Sequence, residues 1–159
     1  MSKSMKRVRA VLERNGAVVN VVETGLARTA RDAADAVGCE IDQIAKSIVL
    51  CGQTSGEVVL FVTAGGRQVD LERAAALAGE PLGKADAAQV RAQTGFAIGG
   101  VSPVGETGPL RKWFDEALLA FPAVWAAAGT PHHVFCAEPA MLLDLSAAQV
   151  GDFSDPLEG

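Results

Sequence analysis

The chain has 159 residues, 49% of them hydrophobic, with 14 basic and 19 acidic side chains and a formal net charge of −5 at pH 7. That is enough for one domain with a sizeable core, and the apolar content excludes a disordered chain. The negative balance argues against broad, sequence-independent coating of nucleic acid, although it leaves room for a local basic patch.

Residues 4 to 14 carry Met5, Val8, Val11 and Leu12 on one face and basic residues on the other, which predicts an amphipathic helix ended by Asn15-Gly16. Ala17 to Glu23 (AVVNVVE) reads as a strand. Thr29 with Asp32 resembles a capping box and starts a helix through Ala36, closed by Gly38. A helical turn follows around Ile41 to Ala45. Lys46 to Cys51 (KSIVLC) and Glu57 to Thr63 (EVVLFVT) are apolar and β-branched around the turn GQTSG, which predicts a central hairpin covered on both faces. Gly65-Gly66 turns the chain. Asp70 caps a helix ended by Gly79, and Asp86 with Gln89 forms a capping box before a helix to Gln93.

Gly95 to Gly105 reads GFAIGGVSPVG. A short strand, Phe96 to Ile98, is expected to run into Gly99 and Gly100, where positive φ and close approach of a ligand to the backbone are permitted. Pro103 restricts itself and Ser102, so the loop is expected to be rigid. Successive N–H groups of such a loop can bind an anion or a polarised carbonyl. Residues 112 to 119 fit strand or helix. Val124 to Ala128 and His132 to Ala137 read as strands, and Pro139 to Leu145 as a helix with proline in its first turn. Residues 1–152 are read as one domain, and residues 153–159 as an acidic tail that frays. The order predicts an α+β fold: a mixed, mostly antiparallel central sheet flanked by helices.

Cys39, Cys51 and Cys136 are odd in number and lack C-x-x-C spacing, so they read as reduced, mostly buried thiols of a cytoplasmic protein. No apolar run approaches ~18 residues, and no apolar segment follows the basic N-terminus, so neither a membrane span nor a signal peptide is expected. Without tyrosine and with two tryptophans, the chain lacks the makings of an aromatic base-stacking platform.

Lys46 opens an apolar strand, either as a solvated end or as a point charge reaching into a pocket. His132 and His133 are adjacent, so on a strand at most one enters a given pocket, and no metal ligands lie at suitable spacing. Ser102 is followed by Pro103, which removes the N–H that a nucleophile elbow requires. No catalytic triad or phosphate-binding glycine motif is legible.

Three segments in order, AKSIVL around Lys46, Asp70 to Gly105 (DLERAAALAG…KADAAQVRAQTGFAIGGVSPVG), and AAAGTPHHVF around His132, together resemble the YbaK family. They are similar to the editing domain inserted in bacterial prolyl-tRNA synthetases, and the resemblance runs from Thr29 to Cys136. It implies hydrolysis, in trans, of the ester joining a wrong amino acid to the tRNA 3′ end, with a small amino acid on tRNA-Pro as the expected substrate. Lys46, Gly100, Val101 and Ser102 are then the catalytic candidates, the loop supplying N–H groups. Ser47, Thr63, Gly99, Pro103 and His132, with His133 as the fallback, are the substrate-binding candidates. The resemblance implies no cofactor and no general base; backbone groups and the substrate's ribose 2′-hydroxyl orient the water. Its partners are the aminoacyl-tRNA acceptor end and prolyl-tRNA synthetase, with no DNA and no membrane. Positive charge for the acceptor end is sought on the N-terminal helix, Arg67, Lys84, Arg91 and Arg111-Lys112. Two competing readings are a non-catalytic tRNA- or nucleotide-binding module on the same scaffold, and Lys46 as a Schiff-base lysine.

Overall fold

Local chemistry sets the helix ends. The side chains of Ser2, Thr29, Asp70 and Asp86 accept the backbone N–H groups of Met5, Asp32, Arg73 and Gln89, each such cap contributing about 1 kcal/mol. These caps open α1 (Lys3–Arg14), α2 (Ala30–Val37), α3 (Leu71–Ala78) and α4 (Ala87–Thr94). The Asp86–Gln89 box is reciprocal. At α2 it is half a box, because the Asp32 carboxylate accepts from the Arg28 N–H instead of the Thr29 N–H.

The structure is a computed structural model describing residues 1–157. Its strands are β1 (Val21–Glu23), β2 (Ile44–Gly52), β3 (Val58–Ala64), β4 (Arg67–Val69), β5 (Leu82–Lys84), β6 (Arg111–Asp115), β7 (Val124–Thr130), β8 (His133–Ala137), β9 (Gln149–Gly151) and β10 (Ser154–Pro156), with α5 (Pro139–Ser146) after β8. The main sheet runs β1-β8-β7-β2-β3-β6-β9, with β5 also on β2; β10 and β4 form a separate pair. Of the main-sheet pairings, β2–β7, β3–β6 and β6–β9 are parallel and the other four antiparallel. This is a mixed, mostly antiparallel sheet in an α+β domain.

Every residue of β3 is buried, as its unbroken apolar run requires. One face packs Leu60 and Val62 against Val8, Leu12, Val90, Phe96 and Leu142. The other packs Val59 and Phe61 against Ala74, Trp113 and Phe153. In β2 the residues from Lys46 to Leu50 are only half-buried, for a reason given below.

Several expectations are corrected. Only Val21–Glu23 of the segment from Ala17 to Glu23 pairs as a strand; Ala17 folds back on Leu12, and Val18 is 86% exposed. Phe96 to Ile98 is not a strand: the Gly100 N–H donates to Ala97 O at 3.0 Å, which closes a turn. The ambiguous stretch from Lys112 to Leu119 divides into β6 and a 3-10 turn at Glu116–Ala120. Of the three cysteines only Cys51 is buried; Cys39 and Cys136 are half-buried, and all three are free thiols.

The expected fraying of residues 153–159 is also overturned as far as Leu157. Phe153 is 1% exposed and meets the Phe61 ring edge-on at 4.9 Å. Arg67 donates to both the hydroxyl and the carbonyl of Ser154, and the Leu157 N–H donates to Gly66 O at 2.9 Å. Glu158 and Gly159 lie outside the described residues. An aromatic anchor and a strand pairing outweigh the acidic composition. Phe153→Ala is expected to lower the free energy of unfolding by about 3–5 kcal/mol, measured by urea titration; a loss below about 1 kcal/mol would remove Phe153 from the core.

Candidate active site

The half-burial of β2 has a topological cause. β3 runs along one side of β2 from Ala45 to Cys51. On the other side, β7 pairs only with Ile44 and Ala45, and β5 only with Leu50 to Gly52. From Lys46 to Val49 that edge has no strand neighbour, and a cavity of about 700 Å³ opens along it. A cavity on a strand edge is flanked by side chains of both faces, so Lys46 and Ser47 both line it. Trp125 to Ala127 of β7, Gly99 and Val101 of the glycine-rich loop, and Ala30, Arg31 and Ala33 of α2 complete the lining.

The Lys46 ammonium donates to Gly65 O at 3.2 Å. Burial pushes its pKa below the ordinary lysine value, opposed by the carboxylates of Asp42 and Asp115. Asp42 is held by the Gly66 N–H at 2.7 Å. The Gly65-Gly66 turn is required here: a Cβ at Gly65 would lie 2.2 Å from Ile41 O. Asp115, 3% exposed, accepts from the Ala64 and Ala117 N–H groups and the Ser154 hydroxyl. The Ser47 hydroxyl is buried and has no hydrogen-bond partner among the described residues.

The glycine-rich loop divides its work. Gly99 and Val101 line the cavity. Gly100 does not, and its N–H, offered as an oxyanion donor, is taken by Ala97 O. It is glycine because a Cβ there would stand 2.9 Å from the Thr130 backbone. The N–H groups of Val101 and Ser102 have no protein acceptor among the described residues. The Ser102 side chain is fully buried behind the loop, its hydroxyl accepting from the Val104 N–H at 3.3 Å. Pro103 is buried there too, its carbonyl accepting from Lys112 Nζ at 2.7 Å.

Two further candidates lie elsewhere. Thr63 is fully buried and its hydroxyl donates to Phe61 O at 2.9 Å, away from the cavity. His132, preferred on sequence, is exposed, and its backbone N–H donates to Thr130 Oγ1. The fallback, His133, lines the cavity, with Nδ1 2.7 Å from Thr130 Oγ1. His133 opens β8 opposite Thr130, after a register shift between Ala127 and Thr130, whereas His132 lies in the preceding turn.

The basic residues are redistributed. Lys112, 6% exposed, forms an ion pair with Glu106 at 2.6 Å, so it is no contact for tRNA. Arg67 is engaged with Ser154, and Arg111 with Ala78 O and the Trp113 ring. Arg28 and Arg31, missed by the sequence reading, stand exposed on the cavity lining; their place at the start of α2 was the available signal. Burial raises the thiol pKa of both Cys39 and Cys136, with Cys136 and Glu40 adding to the rise at Cys39, which disfavours a thiolate nucleophile. Among the described residues no cluster of three His, Cys, Asp or Glu could hold a metal ion, and no helix is long and apolar enough to cross a membrane.

The sequence profile of the aminoacyl-tRNA editing domain matches residues 24–145. YwhH of Bacillus subtilis (strain 168), an uncharacterized protein, is 30% identical over 122 residues, 77% of either chain. EbsC of Enterococcus faecalis (strain ATCC 700802 / V583), provisionally named a Cys-tRNA(Pro)/Cys-tRNA(Cys) deacylase, is 26% identical over 127 residues, 79% of this chain and 77% of that one. A crystal structure described provisionally as a trans-editing enzyme for prolyl-tRNA synthetase superposes with a TM-score of 0.87 at 47% identity, covering 98% of this chain and 99% of that one. The chain therefore belongs to the aminoacyl-tRNA editing domain family, the YbaK-like proteins.

A titration checks the electrostatics of Lys46. Its Nζ resonance is expected to titrate below the ordinary lysine value, and Asp42→Asn, which removes a charge favouring the ammonium, to lower that value further. The folded state then holds this proton less tightly than the unfolded chain, so the group's contribution to stability rises with pH between the two values. Titration at or above the ordinary value would mean that the carboxylates outweigh burial.

Proposed function

We propose that the chain is an aminoacyl-tRNA deacylase acting in trans in the cytoplasm, cutting the ester between a small amino acid and the 3′ end of tRNA-Pro. The observation that carries this reading is the convergence of Lys46, His133 and the Val101 segment of the loop on one cavity beside an unpaired strand edge. The aminoacyl ester is already activated, so the protein has to hold it, place a water and stabilise the oxyanion. The water oxygen attacks the carbonyl carbon, and the carbonyl oxygen takes up the negative charge facing the Val101 and Ser102 N–H groups. The carbon–oxygen bond to the ribose then breaks as the ribose oxygen takes up the proton that the water gives up, releasing the amino acid and a tRNA hydroxyl. Lys46 binds the terminal phosphate or the carbonyl, and the substrate's 2′-hydroxyl with backbone groups orients the water.

The cavity lining is largely apolar, with Ala45, Ile48, Val49, Trp125 and Ala126 among its residues. Discrimination is therefore steric, one methylene being worth about 1–3 kcal/mol. Prolyl-tRNA synthetase is the proposed protein partner, by analogy with the 47%-identical protein described as its trans-editing enzyme.

The test is a deacylation assay on a panel of mischarged tRNAs. At least one is expected to lose its amino acid faster than the buffer control, and Lys46→Ala to slow that loss by about 10²-fold, the scale of a missing oxyanion donor. If none is cleaved while tRNA still binds, the non-catalytic module is the correct reading. Trapping of a substrate adduct by borohydride would instead identify a Schiff base.

The acceptor end is bound through Arg28 and Arg31 on the cavity lining. The net charge of −5 makes binding weak, and the phosphate contacts make it salt-dependent. Arg28→Ala and Arg31→Ala are each expected to reduce the slope of log K against log[salt] by about 1. An unchanged slope would remove them from the phosphate contacts.

A further inference from the structure

The loop from Gly95 to Gly105 has no regular secondary structure, yet it has to hold N–H groups in fixed positions. What fixes it comes from behind. The Arg7 guanidinium donates through Nε to Gly105 O at 2.9 Å and through Nη2 to Gly95 O at 2.6 Å. The same group lies 5.1 Å from the centroid of Phe96, the first side chain of the loop. Ser4 adds a longer contact to Gly95 O at 3.4 Å. A third loop carbonyl, that of Pro103, accepts from the buried Lys112 ammonium.

We propose that Arg7 is the positioning residue of this loop: one guanidinium fastens both of its ends to α1, Lys112 fastens it at Pro103, and Ile98 to Ser102 is thereby held across the cavity. The proposal rests on the deacylase reading and assigns a role to a residue that touches no substrate. Arginine suits the task because its planar fork holds donors for two acceptors in fixed relation, which a lysine point charge does not. Gly105 fits it too. Its φ is +89°, and a Cβ would lie 3.0 Å from the Val8 backbone N, so the loop reaches α1 only with glycine at that position. The family profile begins at residue 24, so the brace is supplied by a helix outside the matched region. The basic face of α1, read on sequence as a tRNA contact, thus turns at least one cation inward.

The experiment compares Arg7→Ala, Arg7→Lys and, as a control on the same helix, the exposed Lys6→Ala. Kinetics use the aminoacyl-tRNA that the wild type cleaves fastest, below the thermal midpoint of every variant. Misplacement of reacting groups by about 1 Å costs up to about 10²-fold. Arg7→Ala is accordingly expected to lower kcat by about 10- to 100-fold with KM and the salt slope unchanged. Arg7→Lys is expected to fall between, and added guanidinium to restore part of the activity of Arg7→Ala. Amide hydrogen exchange at Val101 and Ser102 is expected to quicken in Arg7→Ala and to stay unchanged in Lys6→Ala. A rise in KM with a shallower salt slope would make Arg7 a phosphate contact and overturn the proposal. So would unchanged kcat, or unchanged exchange at Val101 and Ser102. If the wild type cleaves no aminoacyl-tRNA, the deacylase reading fails by itself, and exchange still reports whether Arg7 holds the loop.

Discussion

The site depends on one departure from regular pairing: β2 leaves β7 after Ala45 and is not rejoined on that side until Leu50 meets β5. A strand needs partners for its backbone groups, and an exposed unpaired edge invites adventitious pairing. Here the bare edge is sunk in a cavity under α2 and the glycine-rich loop. It is accessible to a ligand and shielded from another strand. The remaining sheet makes this tolerable, since β3, buried at every residue, carries the continuous ladder that β2 lacks on its other side.

The charged groups near that edge form a linked system. Asp115 caps the 3-10 turn after β6, accepts from the end of β3, and holds Ser154 of the C-terminal strand. It also opposes the effect of burial on Lys46. The chain after Ser154 then pairs with β4 and places Leu157 on the cavity lining. Leu157 is therefore part of the cavity lining, and one buried carboxylate connects the seating of its segment to the electrostatics of the lysine. With acceptors and donors matched on every side, Asp115 escapes the penalty of an unsatisfied buried charge.

What the sequence revealed was local, and what it concealed was tertiary. Capping residues, glycine stops and the β-branched hairpin act within a few positions, so α3, α4, β2 and β3 could be read directly. The three-residue strands β4, β5, β9 and β10 exist only because distant segments meet them, and no pattern of period two can show in so short a run. The direction of a basic side chain is likewise not written in its identity. Lys112, Arg67 and Arg111 look like surface charge, but each has an acceptor inside the fold. Lys112 had a legible warning, for it stands in the strand RKWFD beside Trp113 and Phe114. Phe153 was a similar warning in the tail. The choice between His132 and His133 turned on where β8 begins, which adjacent identical residues cannot report.

The glycine-rich loop shows why such a segment is easily over-read. Its glycines suggest backbone left bare for a ligand, yet only Gly99 of the four internal and terminal positions considered faces the cavity. Gly100 makes room for Thr130, Gly105 for α1, and Gly95 ends α4 in the left-handed conformation. Packing demanded most of the glycine content, and the two loop N–H groups without a protein acceptor among the described residues belong to Val101 and Ser102, neither of them glycine. A short backbone of this kind is useful as an electrostatic device only if it does not reorganise when charge develops. Glycine by itself works against that, since it enlarges the conformational freedom to be suppressed. The compensation is external: a guanidinium at both ends, a buried ammonium at Pro103, and the fixed φ of that proline. Rigidity here comes from the cations behind the loop, and the loop's own sequence only permits the shape.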